Sequence, residues 1–286
     1  MKRFGTMSVL LAAGALAACS TDSTGPAAAP RAPVLEASAG SGQHLVIFKG
    51  GIPADFAASV AALGGSVLYS HAGVGFAAVG GLDEAGAAAL GANAAVASVA
   101  VDEMVQSDIG ASTEADASDV IASQANPTTA LRYPFQWNMR QINAPAAWAA
   151  GKLGSPNITV AILDTGLDYD IADLNGLVDL SRSVSFIPAD NALTATYFPT
   201  RHPVNDYHGH GTNVATQVSS KAFALAGVTS RTTLIGVKVL SRTGSGPLSA
   251  ILAGITWSAD HGANVANMSL GGGFSKSGNG QIVALI

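Results

Sequence analysis

Apolar positions in this chain gather into short runs separated by turn residues, and the period of each run predicts an element. Leu45-Val46-Ile47-Phe48 is compact and rich in β-branched residues, the pattern of a strand. Phe56, Val60 and Leu63 recur at helical spacing and are stopped by Gly64-Gly65, so residues 53–63 read as a helix. Residues 66–69 and 75–79 read as two further strands, 83–90 as a helix closed by Gly91, and 96–101 as a last strand. Strand-helix-strand-strand-helix-strand is the ferredoxin-like α+β order.

The pattern changes further along. Residues 158–163 form an almost unbroken apolar run closed by Gly166, as expected of a strand buried on both faces. An irregular stretch follows to Pro203, then a helix over 212–219 and a second strand over 233–240. Leu248, Ile251, Leu252, Ile255 and Ala259 mark one face of a helix, and 264–270 reads as a third strand. Strands alternating with helices predict an α/β parallel sheet. Asp164 stands at the carboxyl end of the first strand, where such sheets do their chemistry.

Charge and cysteine content narrow the classes. Only 12% of the 286 residues are charged and 48% are hydrophobic, which excludes a disordered chain, and the net charge of −5 offers nucleic acid no basic footprint. The single cysteine, Cys19, follows a basic start (Met1-Lys2-Arg3) and an apolar run from Met7 to Ala18. That is a secretory signal too short to span a bilayer. Leu16-Ala17-Ala18-Cys19 resembles the bacterial lipoprotein cleavage box, which implies lipidation of Cys19 and anchoring at ~0.8 kcal/mol per buried CH₂. By the same resemblance, Ser20 rather than Asp after the cysteine implies the outer membrane in a two-membrane bacterium; the location expected is that of an exported protein, a cell-envelope lipoprotein (outer membrane or cell surface) or an extracellular one. Residues 20–43, rich in Ala, Pro, Ser, Thr and Gly, read as a flexible tether.

Asp164-Thr165-Gly166 finds a partner in Tyr207-His208-Gly209-His210-Gly211-Thr212. Together these segments resemble the aspartate and histidine motifs of the subtilisin family of serine proteases, whose Asp, His, Ser chain order is well known. The resemblance implies His210 as general base and Asp164 as its orienter. It implies a surface role for His208, and it departs from the family at Asn213, where a second histidine is usual. Gly244-Ser245-Gly246 and Ser269-Leu270-Gly271 resemble the two strands that hold an extended substrate by β-augmentation. The Gly-Phe-Ala run at 75–77 resembles a segment of the family's inhibitory propeptide.

The organisation so implied is a lipoprotein signal (1–19), tether (20–43), inhibitor-like propeptide (44–106), linker exposed to proteolysis (107–131) and subtilisin-like peptidase core (132–286). The partners implied are protein or peptide substrates, the chain's own propeptide and, through the lipid, a membrane. No cofactor is required for the chemistry. Asp173 falls where many subtilases place a structural calcium ligand, but the remaining oxygens cannot be assembled, so Asp168, Asp170 and Asp173 read as a solvated acidic turn. The Gly-Thr-Ser-x-Ala segment that carries the family's nucleophile does not occur in the 286 residues. The expectation is an N-terminal portion of a peptidase, inactive alone; a lipid-anchored pseudoprotease or peptide-binding module is the alternative. Asp-Thr-Gly also marks pepsin-like proteases, but there is no second copy and helices follow the strands.

Overall fold

The computed structural model describes residues 42–107 and 126–272. The expected signal, Cys19, most of the tether and linker, and residues 273–286 lie outside the described residues.

The first unit runs β1 (His44–Phe48), α1 (Phe56–Ala62), β2 (Ser66–His71), β3 (Phe76–Gly80), α2 (Glu84–Gly91) and β4 (Val96–Val101). Its sheet has the order β2-β3-β1-β4 with every pairing antiparallel, the ferredoxin-like arrangement. Successive side chains of a strand face opposite ways, and β1 uses both faces. Val46 and Phe48 pack with Phe56 and Val60 of α1 and Leu90 of α2. Leu45 and Ile47 point the other way, into a cluster with Leu163, Ile235, Ile251 and Leu252. The apolar run at 45–48 is continuous because neither face meets water. Asp83 caps α2 by accepting from the Gly86 N–H at 2.7 Å, a device worth about 1 kcal/mol.

The chain continues into β5 (Met104–Ser107) and is described again from Asn126. Two short helices, α3 (Trp137–Gln141) and α4 (Ala144–Ala149), precede β6 (Thr159–Asp164). Then come β7 (Val184–Ser185), α5 (Pro188–Tyr197), α6 (His210–Val218), β8 (Thr233–Lys238), β9 (Ser245–Pro247), α7 (Leu248–Asp260), β10 (Val265–Asn267) and β11 (Leu270–Gly271). Strands β10-β6-β8-β7 form a wholly parallel sheet. Its β6–β8 register puts Asp164 beside Lys238, so two charged residues meet at the carboxyl edge of an otherwise apolar pair.

Two expectations need correction here. The stretch read as irregular before Pro203 contains α5, which starts with Pro188 at its first position, where the missing N–H costs nothing. The linker is narrower than 107–131 at its far end. Pro127 and Ala130 are buried, and the N–H groups of Leu131 and Arg132 donate to Phe223 and Ala224 carbonyls.

Candidate active site

Asp164 ends β6, and two glycines let the next elements close over it. Gly166 has φ +113°, and a Cβ there would lie 2.4 Å from the Val204 carbonyl oxygen. A Cβ on Gly211 would lie 2.2 Å from the Gly166 carbonyl oxygen. With neither side chain present, the first turn of α6 rests directly on the 164–167 turn. His210, first residue of α6, then brings Nδ1 within 2.7 Å of Asp164 Oδ1. Both side chains are buried, at 1% and 0% exposure.

Asp164 Oδ1 also accepts the Thr165 N–H at 2.7 Å, while Oδ2 has no partner among the described residues. Burial pushes the Asp164 carboxyl above its ordinary value; the hydrogen bonds from His210 and Thr165 oppose this. An ionised Asp164 can only accept, so Nδ1 carries the proton between them and Nε2 is the nitrogen able to exchange one with a reacting group.

Asp206 organises the loop before His210. Its Oδ1 accepts from Thr165 Oγ1 at 2.9 Å and from the His208 and Gly209 N–H groups at 3.0 Å each. Its Oδ2 accepts from the Thr212 N–H and hydroxyl at 3.0 and 2.6 Å. Burial alone would raise this carboxyl, but the bonds from Thr212, Gly209 and His208, with the Lys238 charge, hold it below the usual range. Sequence reasoning missed Asp206. The available signal was an aspartate three residues before a glycine, a spacing at which its side chain can cap its own turn.

Beside this pair lies a cleft, and the chain's own β5 fills it. β5 is the middle strand of a three-stranded antiparallel sheet, β11-β5-β9. Val105 faces Gly246 and Gln106 faces Ser245 on one side; Gln106 faces Gly271 and Ser107 faces Leu270 on the other. The Ser107 N–H donates to the Gly244 carbonyl at 2.8 Å. Gly246 is required by space, since a Cβ there would lie 2.0 Å from the Val239 carbonyl oxygen. Five of the six residues expected to bind substrate thus touch one extended strand. Ser269 does not pair with it; its hydroxyl accepts from the Asn267 side chain at 3.1 Å.

His208, expected at the surface, is only partly exposed. It is half-buried, its ring meets that of His210 edge-on at 6.2 Å, and a Cβ on Gly244 would lie 2.9 Å from both its Nε2 and Ser107 Oγ. The bonds that Asp206 accepts fold this loop inward.

Asp173 is not solvated either. At 5% exposure, its Oδ1 accepts from Ser220 Oγ at 2.7 Å and from the Phe223 and Ala224 N–H groups at 2.8 and 3.1 Å, with Leu225 more distant at 3.4 Å. Donors surround it where a calcium ion would need oxygens, so the residues at Asp173 do not fit that metal. Asp168 and Asp170 instead pair with Arg201 at 3.1 and 2.8 Å.

A buried Asp–His pair at the carboxyl edge of a parallel sheet, beside a strand-binding cleft, can be compared with known proteins. The subtilase family model matches residues 155–285. The segment 155–285 belongs to the subtilase family. Alkaline elastase YaB of Bacillus sp. (strain YaB) is 35% identical over 153 residues, covering 53% of this chain and 35% of that protein. Subtilisin E of Bacillus subtilis (strain 168) is 36% identical over 138 residues, 48% of this chain and 32% of that protein. The chain therefore spans about a third of the length of these relatives. Two solved structures share the subtilase fold. The epidermin leader peptide processing serine protease of Staphylococcus aureus superposes with a TM-score of 0.60 at 22% identity, covering 80% of this chain and 49% of that one. Fervidolysin from Fervidobacterium pennivorans, a keratinolytic enzyme related to subtilisin, gives 0.58 at 20% identity, covering 88% and 40%.

Proposed function

We propose that the chain supplies the base, the orienter and the substrate cleft of a subtilisin-like serine endopeptidase, and that residues 44–107 act as its intramolecular inhibitor. The observation that carries this reading is the position of β5. An extended segment of the chain lies between Gly244–Gly246 and Leu270–Gly271, as a substrate backbone would, next to Asp164 and His210.

In this reading His210 Nε2 takes the proton of a serine hydroxyl as that oxygen attacks the scissile carbonyl, and returns it to the leaving amine. Asp164 fixes the tautomer and stabilises the imidazolium. The nucleophile and the side-chain oxyanion donor would come from segments that the 286 residues do not contain, so hydrolysis is expected only when those are supplied. The same dependence makes the pseudoprotease reading separable: joined to the complementary portion of a subtilisin peptidase domain, the chain should cut a chromogenic peptide only if His210 is intact. No His210-dependent cleavage in a folded chimera would favour a binding module. The basic start, apolar run and Cys19 box support export and lipid anchoring.

A further inference from the structure

Lys238 ends β8 beside Asp164 and is fully buried, yet the chemistry above does not use it. Its ammonium has three donors and three oxygen partners. Nζ donates to Asp190 Oδ2 at 3.0 Å, to the Asn205 carbonyl at 3.3 Å and, very closely, to the Thr165 carbonyl. The Tyr207 ring lies 5.6 Å away. Asp190, itself 1% exposed, is held in turn by the Arg242 N–H at 2.8 Å. Burying an ammonium is costly and is sustained only where the charge is paired and its hydrogens are used.

What Lys238 holds is the residue through which both halves of the pair are tied. Thr165 has no exposed surface. Its N–H donates to Asp164 Oδ1, its hydroxyl donates to Asp206, and that hydroxyl oxygen accepts the Gly211 N–H at 2.9 Å, one residue after His210. Its carbonyl is the group that takes Lys238. Without the ammonium, the carbonyls of Thr165 and Asn205 lose the buried donor they share, and a buried acceptor without a donor is costly. The turn would rotate to recover partners and carry its bonds to Asp164 and Gly211 with it.

We propose that Lys238, anchored by Asp190, is a positioning residue for the Asp164–His210 pair and acts through Thr165. The proposal rests on reading that pair as orienter and base. A merely structural ion pair would leave the His210–Asp164 bond unchanged in a folded variant.

The test is proton NMR of the 286-residue chain with ¹⁵N-labelled histidine, reading the low-field Nδ1–H resonance expected for an imidazole bonded to a buried carboxylate. Folding of each variant is checked by the indole N–H signals of Trp148 and Trp257, which donate to the Val228 and Arg182 carbonyls. Lys238→Met should abolish the His210 signal while both indole signals persist. If Lys238→Met does not fold, Asp190→Asn decides: it keeps an oxygen for the Arg242 N–H but removes the counter-charge, and the signal should be lost or move to higher field. Asp190→Glu should retain it. A folded Asp190→Asn chain with the resonance at its original position would overturn the proposal and leave the pair intact as a reading. Loss in Asp190→Glu as well would overturn the assignment to the ion pair. Absence of the resonance in the unaltered chain would overturn both.

Discussion

Replacing Val105 by Asp should drive β5 out of the cleft. Val105 is 1% exposed and packs in the cluster that contains Leu240, Leu248 and Ile251. Burying a valine side chain is worth about 1.5–3 kcal/mol, and a carboxylate in its place adds a desolvation cost of several kcal/mol. Against this stand the strand's main-chain bonds, in three register pairs with β9 and two with β11, at roughly 0.5–1.5 kcal/mol per bond. The two sides are of similar size, so β5 should detach while the rest of the first unit stays docked. That docking has its own contacts: Leu45 and Ile47 in the shared core, and the Tyr69–Thr256 hydroxyl bond at 2.8 Å. The assay is hydrogen exchange at the amides of Gln106, Ser107 and Ser245. Even about 3 kcal/mol of that cost predicts a fall in protection of more than about a hundredfold, and Val105→Ile should leave it nearly intact. Protection in Val105→Asp within about threefold of the original, under ~0.7 kcal/mol, would refute the reasoning.

Other perturbations probe the supports of the site. Asp102 accepts the Ser249 N–H at 2.9 Å at the start of α7, so Asp102→Ala should cost about 0.5–2 kcal/mol in urea unfolding. Burial raises the Asp102 carboxyl above its ordinary value, so between about pH 4 and that raised value the folded chain binds more protons than the unfolded chain. The group's contribution to stability therefore falls as pH rises through this window, and Asp102→Asn should flatten that slope while keeping the cap; an unchanged slope would contradict the assignment. Asp173→Ala strands the N–H groups of Phe223 and Ala224, while the Ser220 hydroxyl keeps the Leu225 carbonyl, so a loss of roughly 2–6 kcal/mol, not restored by calcium, is expected; recovery of the lost stability on adding calcium would point to a cation site there. Metabolic labelling with a fatty-acid analogue should mark the unaltered precursor and spare Cys19→Ser; equal labelling of both would exclude the proposed anchor.

The sequence was legible wherever structure follows from a local period or a glycine. The strand at 158–163, the helix face from Leu248 to Ala259 and the first unit's six elements all declare themselves within a short window. The Asp164–His210 contact could be anticipated only through the resemblance, because 46 residues separate the partners. What stayed hidden depends on tertiary partners. Met104–Ser107 is too short to show a period of its own, because its strand identity comes from β9 and β11, each far along the chain. Asp173 looks solvated until Ser220 and the N–H groups of residues 223–224 fold over it. His208 looks exposed until Asp206 draws its loop inward, and Lys238 looks like an ordinary strand end until Asp190 arrives from α5.

The central claim is that His210, oriented by Asp164, is the base of a peptide-cleaving site. Its most direct measurement is kcat/KM for a chromogenic peptide in a chimera joining residues 1–286 to the serine-bearing portion of a subtilisin domain, with His210→Ala and His208→Ala compared after the first unit has been released. Loss of a base that acts in concert with its nucleophile costs several orders of magnitude. The account predicts such a loss for His210→Ala, at least about 10³-fold, and a change within about tenfold for His208→Ala, whose ring borders the cleft without touching Asp164. Equal losses from the two substitutions, or full activity without His210, would contradict it.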